Sequence, residues 1–130
     1  MGIFDLFKKN EPLTPEQKLN KLWDMWTEGK VASPYAQLMT YESEVNNGGH
    51  DQYFFNVNEV GNLKAEVETA LSILPEPLKA NLQSAYEAYE AHPDVDDDTN
   101  DDLFSECDDV FYANEQLLIE LIQGYANKLK

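Results

Sequence analysis

Apolar residues recur three and four positions apart along most of the chain, the spacing of one buried face of an α-helix. Thr14-Pro15-Glu16-Gln17 opens the first such stretch with a capping residue, a first-turn proline and a glutamine that completes a capping box. Leu19, Leu22, Trp23 and Trp26 follow on one face, and Gly29 ends it. Ser33-Pro34 opens a second helix whose inner stripe is Leu38, Tyr41 and Val45. Asn46-Asn47-Gly48-Gly49 stops that helix, because Asn and Gly accept the left-handed conformation of a C-cap. Gln52-Tyr53-Phe54-Phe55 reads as a short third helix, although four such residues could also form a strand. A fourth runs through Leu63, Val67, Ala70, Leu71 and Leu74 to Pro75. Pro77 opens a fifth, with Leu78, Leu82, Ala85, Tyr86 and Tyr89 inward, and Pro93 stops it. Leu103, Phe104, Cys107, Val110 and Phe111 suggest a sixth. Asn114 can cap a seventh that carries Leu117, Leu118, Leu121, Ile122, Tyr125 and Leu129, with Lys128 and Lys130 favourably placed at its C-terminal dipole. No strand alternation is sustained. The fold expected is all-α, a compact single-domain bundle of six or seven helices.

Composition narrows the picture. A length of 130 residues suits one domain, and 42% hydrophobic residues with two Trp, six Phe and seven Tyr is too rich for a disordered chain. We divide it into an N-terminal tail, residues 1–13, and an all-helical domain, residues 14–130, with an acidic loop near 93–102. The tail matches neither a signal peptide nor a myristoylation site: its lysines follow a short apolar stretch, and Leu6 stands where a hydroxyl residue is required. Ile3, Phe4 and Phe7 are expected to dock on the domain or a neighbour, or to touch a membrane without stable association. Cys107 is the single cysteine, which rules out an intrachain disulfide and fits a core thiol in a reducing cytoplasm.

The charge is the feature that bears on function. The formal net charge is −16, and all nine basic residues are Lys. Without Arg, the usual bidentate ligand of phosphate, a direct nucleic-acid or nucleotide site is not expected. Between Lys79 and Lys128 there is no basic residue but there are thirteen carboxylates, six of them in the stretch from Asp94 to Asp102. Such a surface attracts cations and basic proteins and repels nucleic acid.

Two chemistries suit this run. Asp94, Asp96, Asp98 and Asn100 alternate as the first four ligands of a calcium loop do. Thr99 stands where that loop needs glycine, and Ser105 where it needs a bidentate Glu, so these four are weak calcium candidates and no metal or other cofactor is assigned. Alternatively, Asp94, Asp96, Asp97, Asp98, Asp101, Asp102, Glu106, Asp108 and Asp109, with Glu87 and Glu90, could imitate a phosphate backbone and occupy a partner's basic groove. The bland counterpart is a solubilising surface. His50 lies beside Asp51, but no nucleophile accompanies the pair, and a turn histidine with a structural hydrogen bond is the better reading. Glu42 and Glu44 offer no obvious pairing.

The stretch Glu44-Val45-Asn46-Asn47-Gly48-Gly49-His50-Asp51-Gln52-Tyr53-Phe54-Phe55-Asn56, with Tyr41 before it, resembles the signature of the DNA-mimic-protein-19-like family. Asp108-Asp109-Val110-Phe111-Tyr112, followed by Leu117, Leu121, Ile122 and Tyr125, resembles that family's last helix pair. The likeness covers roughly residues 15 to 129 and implies an all-helical fold, often a dimer. For the best-understood type it also implies an acidic surface that mimics DNA and sequesters a DNA-binding regulator. Glu44, Asn47, Gly48, Gly49, Gln52, Tyr53, Phe54 and Asn56 then read as architectural: the glycines turn the chain, and Gln52 and Asn56 satisfy exposed backbone groups. Position 50, often a large apolar residue in that pattern, is His50 here.

The expectation is a cytoplasmic, non-catalytic binding protein, a DNA mimic that blocks a DNA-binding protein or transcription regulator. The alternative is a specific interaction or immunity-type protein without mimicry, and the third a weak calcium-binding module.

Overall fold

The computed structural model describes residues 12–94 and 98–129. Those residues form five helices and no strand: α1 (Pro15–Thr27), α2 (Tyr35–Val60), α3 (Leu63–Leu71), α4 (Leu78–Ala91) and α5 (Asp101–Ala126). The class is as expected; the count of six or seven is corrected to five because two predicted breaks are absent.

The first lies at the glycine pair. α2 runs on from Val45 to Val60 with only Gly48 (φ −155°, ψ 17°) and Gly49 (φ 81°, ψ 179°) off helical geometry. The glycines do turn the chain, but no loop residue follows and the helix resumes at once. The result is a kink, not a stop. The second lies at Asn114, whose side-chain amide donates to the Val110 carbonyl one turn back at 2.9 Å. With that bond made inside the helix, Asn114 does not cap, and no Gly or Pro between Phe111 and Leu117 interrupts α5.

The other boundaries follow their local chemistry. At α1, Thr14 Oγ1 accepts from the Gln17 backbone at 3.1 Å, and Gln17 Oε1 accepts from the Thr14 backbone at 2.9 Å. Asn62 caps α3 by accepting from the Ala65 backbone. α4 begins after Pro77, and Glu76 accepts the Ala80 backbone N–H. α5 ends at Ala126, before Lys128, so the expected cation in its last turn is missing. Lys18 of α1 does that work, donating from Nζ to the Asn127 carbonyl at 3.1 Å.

α2 and α5 form the central pair. α1 packs on α5, α3 on α2, and α4 on α5 and α3. Between them lie Leu22, Leu38, Tyr41, Val45, Tyr53, Phe54, Leu78, Leu82, Phe111 and Leu118, all fully buried. Burying each such side chain is worth about 1.5–3 kcal/mol, which is what holds helices of ordinary propensity together. Phe54 is the aromatic hub: its ring lies 5.0 Å from Tyr89, 5.8 Å from Phe104 and 6.0 Å from Tyr86, tying α2 to both α4 and α5.

Candidate acidic interaction surface and the kink beneath it

The kink is held by polar groups that the glycines bring together. Immediately after Gly49, the His50 backbone N–H donates to Asp108 Oδ1 at 2.9 Å, and His50 Nδ1 meets the same oxygen at 2.7 Å. A carboxylate only accepts, so Nδ1 carries the proton. On the other side of the ring, Nε2 lies 2.7 Å from the Tyr41 hydroxyl. Burial, reinforced by nearby Tyr53, Cys107 and Asp108, pushes the Tyr41 phenol well above its ordinary range. The phenol therefore stays protonated and shares a hydrogen bond with Nε2. His50 is 0% exposed and Asp108 26%, so this Tyr–His–Asp chain is a brace, buried at the histidine and half-buried at the carboxylate, between the two halves of α2 and the middle of α5.

Gly49 is required twice over. Its φ of 81° with ψ near 180° is a region almost reserved for glycine, and a Cβ there would stand 2.5 Å from Asp108 Oδ2. Across the kink, Glu44 Oε2 accepts from Asn56 Nδ2 at 2.8 Å and from Gln52 Nε2 at 3.1 Å. Gln52 and Asn56 thus serve the Glu44 carboxylate, not the backbone groups expected of them. Tyr53 and Phe54 are core residues, and Asn47 is exposed beside the kink. Burial raises both the Tyr53 phenol and the nearby Glu66 carboxyl, and neither the Tyr53 hydroxyl nor Glu66 Oε2 has a hydrogen-bond partner among the described residues.

The predicted acidic set divides. Asp94 and Asp98 are exposed at the two sides of the loop, whereas Asp96 and Asp97 lie outside the described residues. Asp101 and Asp102 occupy the exposed first turn of α5, where they also complement the helix dipole. Glu106 and Asp109 are exposed further along. Asp108 is turned inward on His50 and is taken out of the outer face. Asn100 is buried and donates its amide to the carbonyls of Ala88 at 2.9 Å and His92 at 3.1 Å, closing the C-terminus of α4. That commitment gives Asn100 a structural role in place of the calcium-ligand role it was a candidate for. Among the described residues no group of three potential metal ligands converges.

Positions 102, 106, 109, 113, 116 and 120 repeat at helical spacing, so Asp102, Glu106 and Asp109 share one exposed stripe of α5 with Glu120, which was not among the predicted residues. At a rise of about 1.5 Å per residue, the first three fall roughly 6 and 4.5 Å apart along the axis. A strand of duplex DNA offers about one phosphate per 3.4 Å. α4 packs alongside and exposes Glu87 and Glu90. The two helices are locked at Asn81, whose amide donates to the Cys107 carbonyl at 2.8 Å. Burial, with Asp108 and Glu106 near it, pushes the Cys107 thiol up to about 11, so it packs as an inert core group.

Sequence reasoning found no pairing for Glu42, and the structure supplies one. Glu42 keeps 6% of its surface exposed, and its carboxyl meets that of Glu115 on α5. Burial first, then a hydrogen bond and repulsion from Glu115, push it up to about 9 from an ordinary 4.5. Two carboxyls can bond each other only through a proton held between them.

The described residues form an all-helical domain that displays exposed carboxylates on α4 and α5. The model of the DMP19-like protein family matches residues 29–129, and the chain belongs to that family. The match begins just after α1, later than the likeness read from the sequence, and includes the kink, its partners and the acidic stripe. Comparisons with curated proteins and with solved structures return no match. No helix of the described residues is long and apolar enough to cross a membrane.

Proposed function

We propose that this protein is a non-catalytic acidic binding protein that occupies the basic surface of a DNA-binding protein, a regulator among them, in place of DNA. The observation that carries the reading is the exposed stripe Asp102, Glu106 and Asp109 on α5, in a stretch without a single lysine or arginine that also exposes Glu87 and Glu90 on α4. Carboxylates fixed on a braced helix keep their spacing without a partner, and that preorganisation is what a substitute for a stiff polyanion needs. Membership of a family named for DNA mimicry supports it. The reading fits a cytoplasmic setting, where such partners work, and is compatible with a homodimer.

The test is capture from a lysate of the source cell at low and high salt, with duplex DNA as competitor. The control is the variant Asp102→Asn, Glu106→Gln, Asp109→Asn, which leaves Asp108 on its histidine. The reading expects a protein that itself binds duplex DNA, released by salt and by competing duplex and lost in the variant. Capture that survives all three overturns it. The runner-up, a specific interaction without mimicry, is favoured by Phe55, Tyr112 and Leu117, each more than a third exposed. Loss of capture on Phe55→Ser or Leu117→Ser, with little response to salt, would select it.

A further inference from the structure

Glu42 stands where two clefts meet. One, of about 390 Å³, is polar and lined by Ser43, Asn46 and Asn47; the other, of about 230 Å³, is apolar and lined by Leu19, Ile119 and Ile122. Glu42 and Trp23 line both. Glu42 Oε2 is buried and accepts no hydrogen bond from any described donor. Elsewhere around the kink, half-buried carboxylates are matched to donors: Glu44 has two amides and Asp108 has two N–H groups. Glu42 has the carboxyl of Glu115 beside it, with the phenols of Tyr41 and Tyr112 in the neighbourhood.

A buried acceptor without a donor costs about 1–3 kcal/mol, more if charged, so such a site favours whatever brings the missing hydrogen. In the free protein that is a proton, which is why Glu42 holds one so far above the usual carboxyl range. An ammonium group brings three donors and a positive charge, and it can take the proton's place between the two carboxylates. Beside it the wall is aliphatic and aromatic. Leu19 and Ile122 suit a methylene chain, and the indole of Trp23 attracts a cation on its face.

We propose that the cleft at Glu42 is a binding site for a linear primary alkylammonium, its head between Glu42 and Glu115 and its chain along Trp23, Leu19 and Ile122. The site is separate from the exposed acidic stripe and does not depend on the DNA-mimic reading. It recognises charge and chain together. A short ammonium lacks the apolar contact, and an alcohol of the same length lacks the charge.

The experiment is a titration of the full chain with n-hexylammonium, n-hexanol and methylammonium, followed by calorimetry and by the indole resonances of Trp23 and Trp26. The result expected is saturable binding of n-hexylammonium, with a shift of the Trp23 resonance and at least tenfold weaker binding of the other two. Glu42→Gln should weaken n-hexylammonium at least tenfold. Glu120→Gln, which replaces an exposed carboxylate, should change it less than twofold. Equal binding of hexanol reduces the site to an apolar groove, and equal binding of methylammonium, or an equal loss in both variants, reduces it to attraction by net charge. Either outcome overturns the proposal. The ligand comparison is made on the unaltered protein, so it decides the matter even if Glu42→Gln fails to fold.

Discussion

On α5, Asp108 turns inward to His50 while Asp109, the next residue, faces water. The two have the same chemistry and lie about 100° apart around one helix. Asp108 accepts two hydrogen bonds from the residue that follows the kink, and the bend in α2 depends on it. Asp109 accepts no hydrogen bond from a side chain among the described residues and is exposed to meet a partner. The difference teaches that an acidic segment is not one functional unit. Helical phase sorts its carboxylates into those that build the scaffold and those the scaffold displays, and only the second group is available for recognition.

The comparison breaks most severely at the glycine beneath Asp108. Gly49→Ala forces a Cβ into an almost glycine-only conformation and against the Asp108 carboxylate, and should cost about 3 kcal/mol or more. Urea unfolding measures it; a loss below 1 kcal/mol would mean that the kink relaxes freely. Asp108→Ala leaves the His50 backbone N–H and ring N–H without their acceptor, and about 2–3 kcal/mol should go by the same measurement. Asp109→Ala should leave the midpoint unchanged. Equal effects at 108 and 109 would erase the distinction.

A smaller effect sharpens the same contrast through pH. Glu42 and Glu66 bind protons more tightly folded than unfolded, because burial raises both. Where the native state holds the extra proton, stability falls as pH rises. The contribution of Glu42 is complete below its ordinary value of 4.5 and drains away as pH climbs through about 9. Thermal midpoints of Glu42→Gln between pH 5 and 9 should therefore decline less than those of the unaltered protein. Parallel declines would show that Glu42 is an ordinary ionised surface acid. Smallest of all, Asn100→Ala should cost about 1–2 kcal/mol by removing the amide that closes α4, and calcium should raise the melting temperature of neither protein.

The helical class, the cap at Thr14 and the inner stripes of α1, α3 and α4 were legible because each rests on neighbours within one turn of the chain. The glycine pair was legible as a change of direction. Its outcome as a kink was not, because what lets α2 resume is Asp108, 58 residues away. Asn114 looked like a cap because Asn often is one, and only the Val110 carbonyl behind it decides otherwise. The acidic surface was visible as composition, but its division was not. Asp108 shares the helical phase of Phe104 and Phe111, but what singles it out is His50, 58 residues away on another helix. Glu42 and Glu115 lie on different helices, so no local spacing marks them as a pair.

The most direct test of the displayed stripe is the affinity of a captured DNA-binding protein for this chain, measured from about 50 to 300 mM salt, with and without the substitutions at Asp102, Glu106 and Asp109. The account predicts that the logarithm of affinity falls steeply with the logarithm of salt, as it does when a basic groove meets a polyanion. It also predicts that the triple variant binds far more weakly at low salt and with a shallower slope. A slope near zero, or a triple variant that binds as well as the unaltered protein, would contradict it.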